Sequence, residues 1–218
     1  MEQNRQGHSF FVRARVYISA CAICFAAIPA FSAPDNAVVL ATATIALQSA
    51  SPKDRAEAAR VLGREKAVEH ITDLQNRLSV ETDKTVRQAI VVSLANLGAP
   101  AFEGLKGALA DPIAEVRLEA ANGLGRIGTP AASAELRGAL AKEANEGVKQ
   151  NLIFWLGQLK DDAASDEIGK ALTDGDANLR AQAAHSLGRI GSSKAKGHLR
   201  RAPRDPDAKV RQVVDENK

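Results

Sequence analysis

Cysteine is almost missing from this chain. The 218 residues contain two, Cys21 and Cys24, both within the first 32. From Ala33 onward there is no thiol, so that part builds neither a disulfide framework nor a thiolate metal site. Aromatic residues are scarce as well, at 4%, with one Trp and one Tyr. A sheet core would call for more aromatic and β-branched side chains, whereas abundant Ala and Leu suit close packing of helix on helix. Beyond the first 32 residues there are three histidines, His70, His185 and His198, and no H-E-x-x-H. A strong charge of either sign is also missing. The formal net charge is +3, and the first 32 residues hold three Arg and one Glu, so residues 33–218 carry +1. That balance gives no reason to expect nucleic acid as a partner.

No apolar run is long enough to span a bilayer. The longest, Val16 to Phe31, has 16 residues and contains Pro29, short of the ~20 that a spanning helix needs. It follows Arg5, Arg13 and Arg15 and ends in "AFS", with Ala30 and Ser32 at −3 and −1 before Ala33. Basic, apolar and small-residue regions in that order are the pattern of a secretory signal peptide. Residues 1–32 are therefore expected to be removed near Ser32–Ala33, leaving 33–218 exported, periplasmic or secreted. An uncleaved leader acting as membrane anchor is the alternative.

What is present is a repeat. "NGLGRIG" (122–128) contains the G-x-G-x-x-G of a dinucleotide loop, but "EVRLEAAN" before it has Val116, Ala120 and Leu124 four apart, a helical stripe and not a strand. Near-copies recur in "RVLGREK", "VSLANLG", "FWLGQLK" and "HSLGRIG". Aligned on Arg55, Arg87, Arg117, Lys149, Arg180 and Arg211, the spacings are 32, 30, 32, 31 and 31. A fixed period of this size means stacked units that bury their apolar faces against each other. Three and seven residues after each anchor the side chain is apolar, and the residue before the anchor is usually aliphatic, giving one buried stripe. Eight after stands Gly63, Ala95, Gly125, Gly157 or Gly188, small enough for a close helix contact. Eleven after, Gly98, Gly128 and Gly191 suit the left-handed end of a helix. These two glycine columns together create the false cofactor motif.

A second, weaker helix follows each turn, with Pro100 and Pro130 in its first turn and Phe102, Leu105, Leu109, Leu136, Leu140, Ile168 and Leu172 as its apolar marks. Six before the anchor stands Glu81, Asp111, Glu143, Asp174 or Asp205. This acid is expected to cap its own helix, and the arginine to pair with an acid of its own or the next unit. The chain is thus read as all-α: an α-solenoid of helical hairpins with a period of about 31 residues. A capping helix spans 35–50, full repeats about 51–204, and a partial repeat 205–218, with Pro203 interrupting the last Leu-rich helix.

Asp-Pro, Val-Arg, an Ala-rich helix, "LGRIG", then Pro and a Leu-rich helix resemble the HEAT-repeat family, most closely the phycobilisome-lyase HEAT-like type. The resemblance runs from about residue 51 to 211 and implies a right-handed superhelix of paired helices, the second of each pair lining a concave surface. The chain departs from it at Ser49, where the acid is absent, and at Lys66 and Lys160, where glycine is. Deoxyhypusine hydroxylases, which are HEAT-like enzymes, carry His-Glu dipeptides as iron ligands, and none occurs here. Bilin lyases share the repeat, but no residue here carries their activity over. "DGDAN" (174–178) fails as a calcium loop, with Leu179 where glycine is needed, and Ser193 with Lys196 lacks the companions of a serine acylase. No catalytic residue, metal or cofactor is assigned.

Positions two, five and nine after the anchor share a face away from the buried stripe. Arg64, Glu119, Asn122, Arg126, Phe154, Gln158, Gln182, His185 and Arg189 stand there, and Phe154 is an aromatic in an otherwise polar row. Phe154, and to a lesser degree Trp155, are candidate hot spots for a protein or peptide partner. Packing between units is the competing reading for both rings. The expected function is an exported, non-enzymatic interaction scaffold that binds its partner on the concave helical face, where these positions are expected to lie. Its alternative uses the basic C-terminal region, Lys194, Lys196, Arg200, Arg201 and Arg204, on anionic lipid or wall polymer; membrane contact is otherwise confined to an uncleaved leader. Residues 193–218 hold eight Lys or Arg against four acids.

Overall fold

A computed structural model describes residues 35–202 and 204–217, and every regular element in that range is helical. The leader, both cysteines, the cleavage point and Pro203 lie outside the described residues. The chain divides into two compact units, one ending at Leu97 and one beginning at Gly98. The first contains α1 (Asn36–Ala46), α2 (Pro52–Arg64), α3 (Ile71–Val80) and α4 (Lys84–Leu97). The second contains α5 (Phe102–Ala108), α6 (Ala114–Ile127), α7 (Pro130–Leu140), α8 (Glu146–Gln158), α9 (Ser165–Lys170), α10 (Ala177–Ile190), α11 (Ser193–Arg201) and α12 (Ala208–Asn217). Each repeat anchor opens a long helix, and these pack side by side: α2 on α4 in the first unit, and α6, α8, α10 and α12 in sequence in the second. The short α5, α7, α9 and α11 lie against them.

The core is the predicted stripe, widened. Ala58, Ile90, Ala120, Leu152 and Ala183 are buried, as are Leu62, Leu94, Leu124, Leu156 and Leu187. Ala59, Val91, Ala121, Ile153 and Ala184, four after the anchor, are buried too, because each long helix is covered by a short one as well as by its long neighbours. The glycine eight after the anchor meets the residue six after the next anchor. A Cβ on Gly63 would stand 2.6 Å from Ser93 Cβ, and one on Gly157 would stand 2.6 Å from Ser186 Cβ. Such contacts leave no room for a methyl group.

The acids do something other than expected. The helix caps stand four residues before the anchor: Ser51, Asn145 and Asp176 accept a backbone N–H of the first turn, and Asp83 and Asp207 accept from Val86 and Val210. Asp111 and Pro112 precede the helix, which starts at Ala114, so they are not its cap and first turn. Pro100 likewise sits in a 3-10 turn ahead of α5, whereas Pro130 does open α7 behind the Thr129 cap. The acid six before the anchor instead ties the turn, Glu143 accepting from Ala144 and Asn145 N–H and Asp205 from Asp207 N–H. At Glu81, Glu143 and Asp205 the carboxylate is also gripped by the arginine of the preceding repeat, as the expected pairing of that arginine with an acid of the next unit requires.

Arg55 binds Glu81 through Nε and Nη2 at 2.7 and 2.8 Å, Arg117 binds Glu143 at the same two distances, and Arg180 binds Asp205 at 2.6 and 3.0 Å. The third guanidinium nitrogen, Nη1, is held by two carbonyls of the arginine's own turn, those of Asp111 and Pro112 for Arg117. With Nη1 fixed, the fork faces the next repeat in the bidentate geometry that only arginine offers. Lys149 and Asp174 occupy the equivalent positions, and among the described residues no ion pair joins them. Burial pushes the Glu81 carboxyl up, but Arg55, the Asp83 N–H and Arg77 more than offset it and hold it at about 2. Arg117 holds Glu143, and Arg180 holds Asp205, below the usual carboxylate range.

All five positions eleven after the anchor have positive φ: Gly128 and Gly191 end their helices in the left-handed conformation, Lys66 (φ 57°) and Lys160 (φ 53°) share the sign, and Gly98 (φ 75°, ψ −141°) lies outside the left-handed conformation expected for it. The turn geometry is set by the repeat, so the two lysines adopt a conformation that costs a side-chain-bearing residue roughly 1–2 kcal/mol. Lys66 recovers part of this by donating Nζ to the Asn96 carbonyl at the end of α4. Lys160→Gly is expected to raise unfolding free energy by about 0.5 kcal/mol after the entropy cost of glycine, while Gly128→Ala lowers it by about 1 kcal/mol. Urea titrations of the two variants read both signs.

Candidate functional site

The row of expected partner residues falls into both units. In the first, Arg64 is exposed and its guanidinium pairs with Glu57 at 3.3 Å, with Arg60 at 3.6 Å from the same carboxylate. This is an internal surface cluster. The other eight residues lie in the second unit, on α6, α8 and α10.

There the row is knitted across helices. Asn122 of α6 accepts through Oδ1 from Asn151 Nδ2 at 2.8 Å and from Trp155 Nε1 at 2.9 Å, both on α8. It also donates Nδ2 to Glu119 at 3.4 Å. Arg189 of α10 donates to Gln158 Oε1 of α8 at 2.6 Å. Gln182 is turned along its own helix, donating to Ser186 Oγ at 3.1 Å. His185 and Arg126 are exposed. Positions five and nine are therefore mostly surface. Position two, Glu119 and Gln182, is half-buried, a difference from the expected exposed row.

Phe154 is 37% exposed, and Trp155 is half-buried. Their rings meet edge to face with centroids 5.3 Å apart, a favourable arrangement for two aromatics. The indole lies over Gly125, where any Cβ would overlap it. Trp155 thus fills the place that Ser93 and Ser186 take over Gly63 and Gly157. It is a packing residue that holds Phe154 upright. The sequence shows Trp155 as an oddity in its column; its link to Gly125 and Asn122 becomes legible only when position six of one repeat is paired with position eight of the one before.

In the C-terminal patch, Lys194, Lys196, Arg200, Arg201 and Arg204 are all exposed. Lys194 is paired with Asp166 at 2.7 Å, and His198 meets the other oxygen of that carboxylate at 3.0 Å. Lys194 and His198 hold Asp166 below its usual value. Lys196, Arg200, Arg201 and Arg204 make no ion pair among the described residues. The "DGDAN" stretch is spent on folding: Asp176 caps α10 and Asp174 accepts from Asp176 N–H.

One place brings hydroxyl, imidazole and carboxylate together. Thr44 Oγ1 and Asp73 Oδ2 lie 3.2 and 2.8 Å from His70, but both from Nδ1. A nucleophile and its orienting acid must occupy opposite ring nitrogens for a proton to be relayed, so this trio positions α1 against the turn and has no relay geometry. Among the described residues no group of three His, Cys, Asp or Glu is placed to hold a metal, and no helix is long and apolar enough to cross a membrane.

A family profile described as HEAT repeats matches residues 39–113, 72–151 and 138–216. Among solved structures, the chain is similar to the complex of CpcE and CpcF of phycocyanin lyase from Nostoc sp. PCC7120. The identity is 20% and the TM-score 0.58, over 88% of this chain and 79% of that one. It is similar to an engineered protein at 20% identity and a TM-score of 0.56, over 82% of this chain and 94% of the other. Human deoxyhypusine hydroxylase matches over 82% of both chains at 20% identity, with a TM-score of 0.42. No curated protein matches. Identities this low speak for the fold alone, and since a lyase uses a HEAT-like fold, the fold by itself leaves catalysis open.

Proposed function

Because the chain belongs to the HEAT-repeat family, a fold built to present surface for partners, we propose that it is a non-enzymatic scaffold that grips a protein or peptide on the α6–α8–α10 row. The observation that carries this is Phe154: an exposed ring in edge-to-face contact with Trp155, on a row that also carries the polar Asn122, Gln158 and Arg189. Rigid aromatic anchors inside a polar rim are where binding energy concentrates. The leader pattern supports export, with the mature chain beginning at Ala33.

A photo-crosslinking phenylalanine analogue at position 154 is expected to trap one discrete partner in cells. The same analogue at the exposed Ala134 of α7 is expected to trap none. Phe154→Ala should weaken the captured complex by about 2 kcal/mol, roughly thirtyfold. Equal capture from both positions would move the site off this row. The intact mass of the exported protein tests cleavage, with an N-terminus at Ala33 expected.

The unpaired Lys196, Arg200, Arg201 and Arg204 favour a second reading, contact with anionic lipid or wall polymer. Binding of that kind falls steeply with salt, whereas an aromatic anchor is nearly indifferent to it.

A further inference from the structure

The C-terminal ends of α6, α8 and α10 carry cations that the fold itself does not use. Arg126 lies in the last turn of α6 and Arg189 in the last turn of α10. Lys160 stands just beyond the end of α8. All three are exposed, and none pairs with an acid among the described residues. A cation at such a place ordinarily serves its helix, by bonding the terminal carbonyls or by easing the dipole. Arg189 donates instead to Gln158, a neutral amide on the neighbouring helix. The side chains of Arg126 and Lys160 make no hydrogen bond among the described residues.

Lys160 is the most informative of the three. Its φ of 53° is positive, a conformation costly for a residue with a side chain. Lys66, at the same place in the first unit, turns its ammonium onto the Asn96 carbonyl, whereas Lys160 makes no such contact. Backbone strain without local compensation points to a functional position. The acids that follow Lys160 are already held: Asp161 by Ser133 and Arg137, Asp162 by the hydroxyls of Ser165 and Ser192. The three cations are left without a carboxylate.

These cations flank Phe154. Arg126 follows Gly125, on which the Trp155 indole lies, and that ring meets Phe154 edge to face. Gln158, which receives Arg189, is one turn beyond Phe154 on α8 and shares its face. The row therefore has an aromatic anchor on its middle helix and an arginine on each side. Helices packed side by side have axes about 8–10 Å apart, which sets the two arginines roughly 16–20 Å apart. An extended chain rises about 3.3 Å per residue, so roughly five or six residues cross that gap.

Resting on the reading that this row grips a protein segment, we propose that the segment is acidic and extended. Its apolar side chain packs on Phe154, and its carboxylates, roughly five or six residues apart, meet Arg126 and Arg189, with Lys160 open to a third. Charges at a rim govern which partner is accepted more than how tightly it is held. Phe154 supplies the grip and the basic edge selects.

A displayed library of random peptides of about twelve residues, long enough to cross three helices, tests this against the purified full chain. Binders that lose affinity for Phe154→Ala are expected to carry Asp or Glu on both sides of an aromatic or aliphatic residue. Arg126→Glu combined with Arg189→Glu, melting like wild type, should weaken them at least tenfold. Exchanging the peptide's acids for Lys should restore binding to that variant. The triple change Lys196→Gln, Arg200→Gln, Arg201→Gln should leave binding as it was. Phe154-dependent binders without acids, or acidic ones indifferent to the double reversal, overturn the acidic partner while leaving the row as a binding site. Loss in the triple variant alone assigns the acids to the C-terminal patch and equally overturns it. A library with no Phe154-dependent binder overturns the reading of the row, and the acidic partner with it. If the double reversal does not fold, Arg126→Ser and Arg189→Ser decide, each expected to weaken acidic binders and to spare those bearing Lys.

Discussion

Arg117→Met is expected to lower unfolding free energy by about 2–3 kcal/mol. The Glu143 side chain is 5% exposed and has the Arg117 fork as its charged partner, with two backbone N–H groups besides. Removing the fork leaves a carboxylate desolvated and uncompensated, the costly way to break a buried pair. The loss sits near the lower end of what such deletions cost, because the backbone donors remain. The double variant Arg117→Met, Glu143→Leu should recover much of it, since two apolar groups in place of a buried pair are close to neutral. A double-mutant cycle by urea unfolding measures this coupling; additivity of the two single changes would show that the fork adds no coupling there.

The same bridges set an acid limit. Glu143 and Glu81 titrate below the ordinary value of 4.5 in the folded protein, Glu81 at about 2. A carboxyl depressed by folding contributes its full stability above the unfolded value. That contribution is lost as pH falls through the folded one. Wild-type stability should therefore decline as pH falls below about 4.5, the Glu81 contribution being lost toward pH 2, and the gap between wild type and Arg117→Met should narrow as pH falls below the unfolded value of Glu143.

Gly157→Ala and Gly138→Ala are expected to act in opposite directions. A Cβ at Gly157 meets Ser186 Cβ at 2.6 Å and its Cα at 2.8 Å, so α8 and α10 must part. Overpacking against backbone outweighs the gain in helix propensity, and a net loss of about 1–3 kcal/mol follows. Gly138, in the interior of α7, has nothing within 4 Å of its virtual Cβ. There the propensity gain stands alone, about 0.5–1 kcal/mol. Thermal unfolding of the two variants should shift to opposite sides of wild type; a Gly157→Ala variant as stable as wild type would mean that the long helices have slack.

How much of this was legible in the sequence depends on the range of the interaction. The period, the buried stripe and the left-handed turns are local or repeated properties of one chain segment, and a residue's position in its repeat sufficed to assign them. Even Lys66 and Lys160 could be flagged as departures from glycine, although only the structure shows that they keep the left-handed backbone. The acid six before each anchor was misassigned because Asp-Pro reads locally as a cap and first turn. At Glu81, Glu143 and Asp205 the carboxylate is claimed by an arginine 25 or 26 residues upstream; the arginine's pairing with an acid of its own or the next unit was expected, and only the structure shows that the next unit's acid is the one taken.

Phe154 was found from its column because exposure follows helical phase. Trp155 was not resolved the same way: whether it packs or protrudes depends on Gly125, in the repeat before it. The outer face of α1 shows the same division. The helix is without charge in the sequence, and only the packing of Leu40, Ala43 and Leu47 decides which of its faces stays exposed. Composition and periodicity determined that the chain is an array of helices. Which side chains meet between neighbouring repeats, and so which surface remains for a partner, was decided by tertiary packing, because those contacts join residues that one helix's periodicity cannot relate.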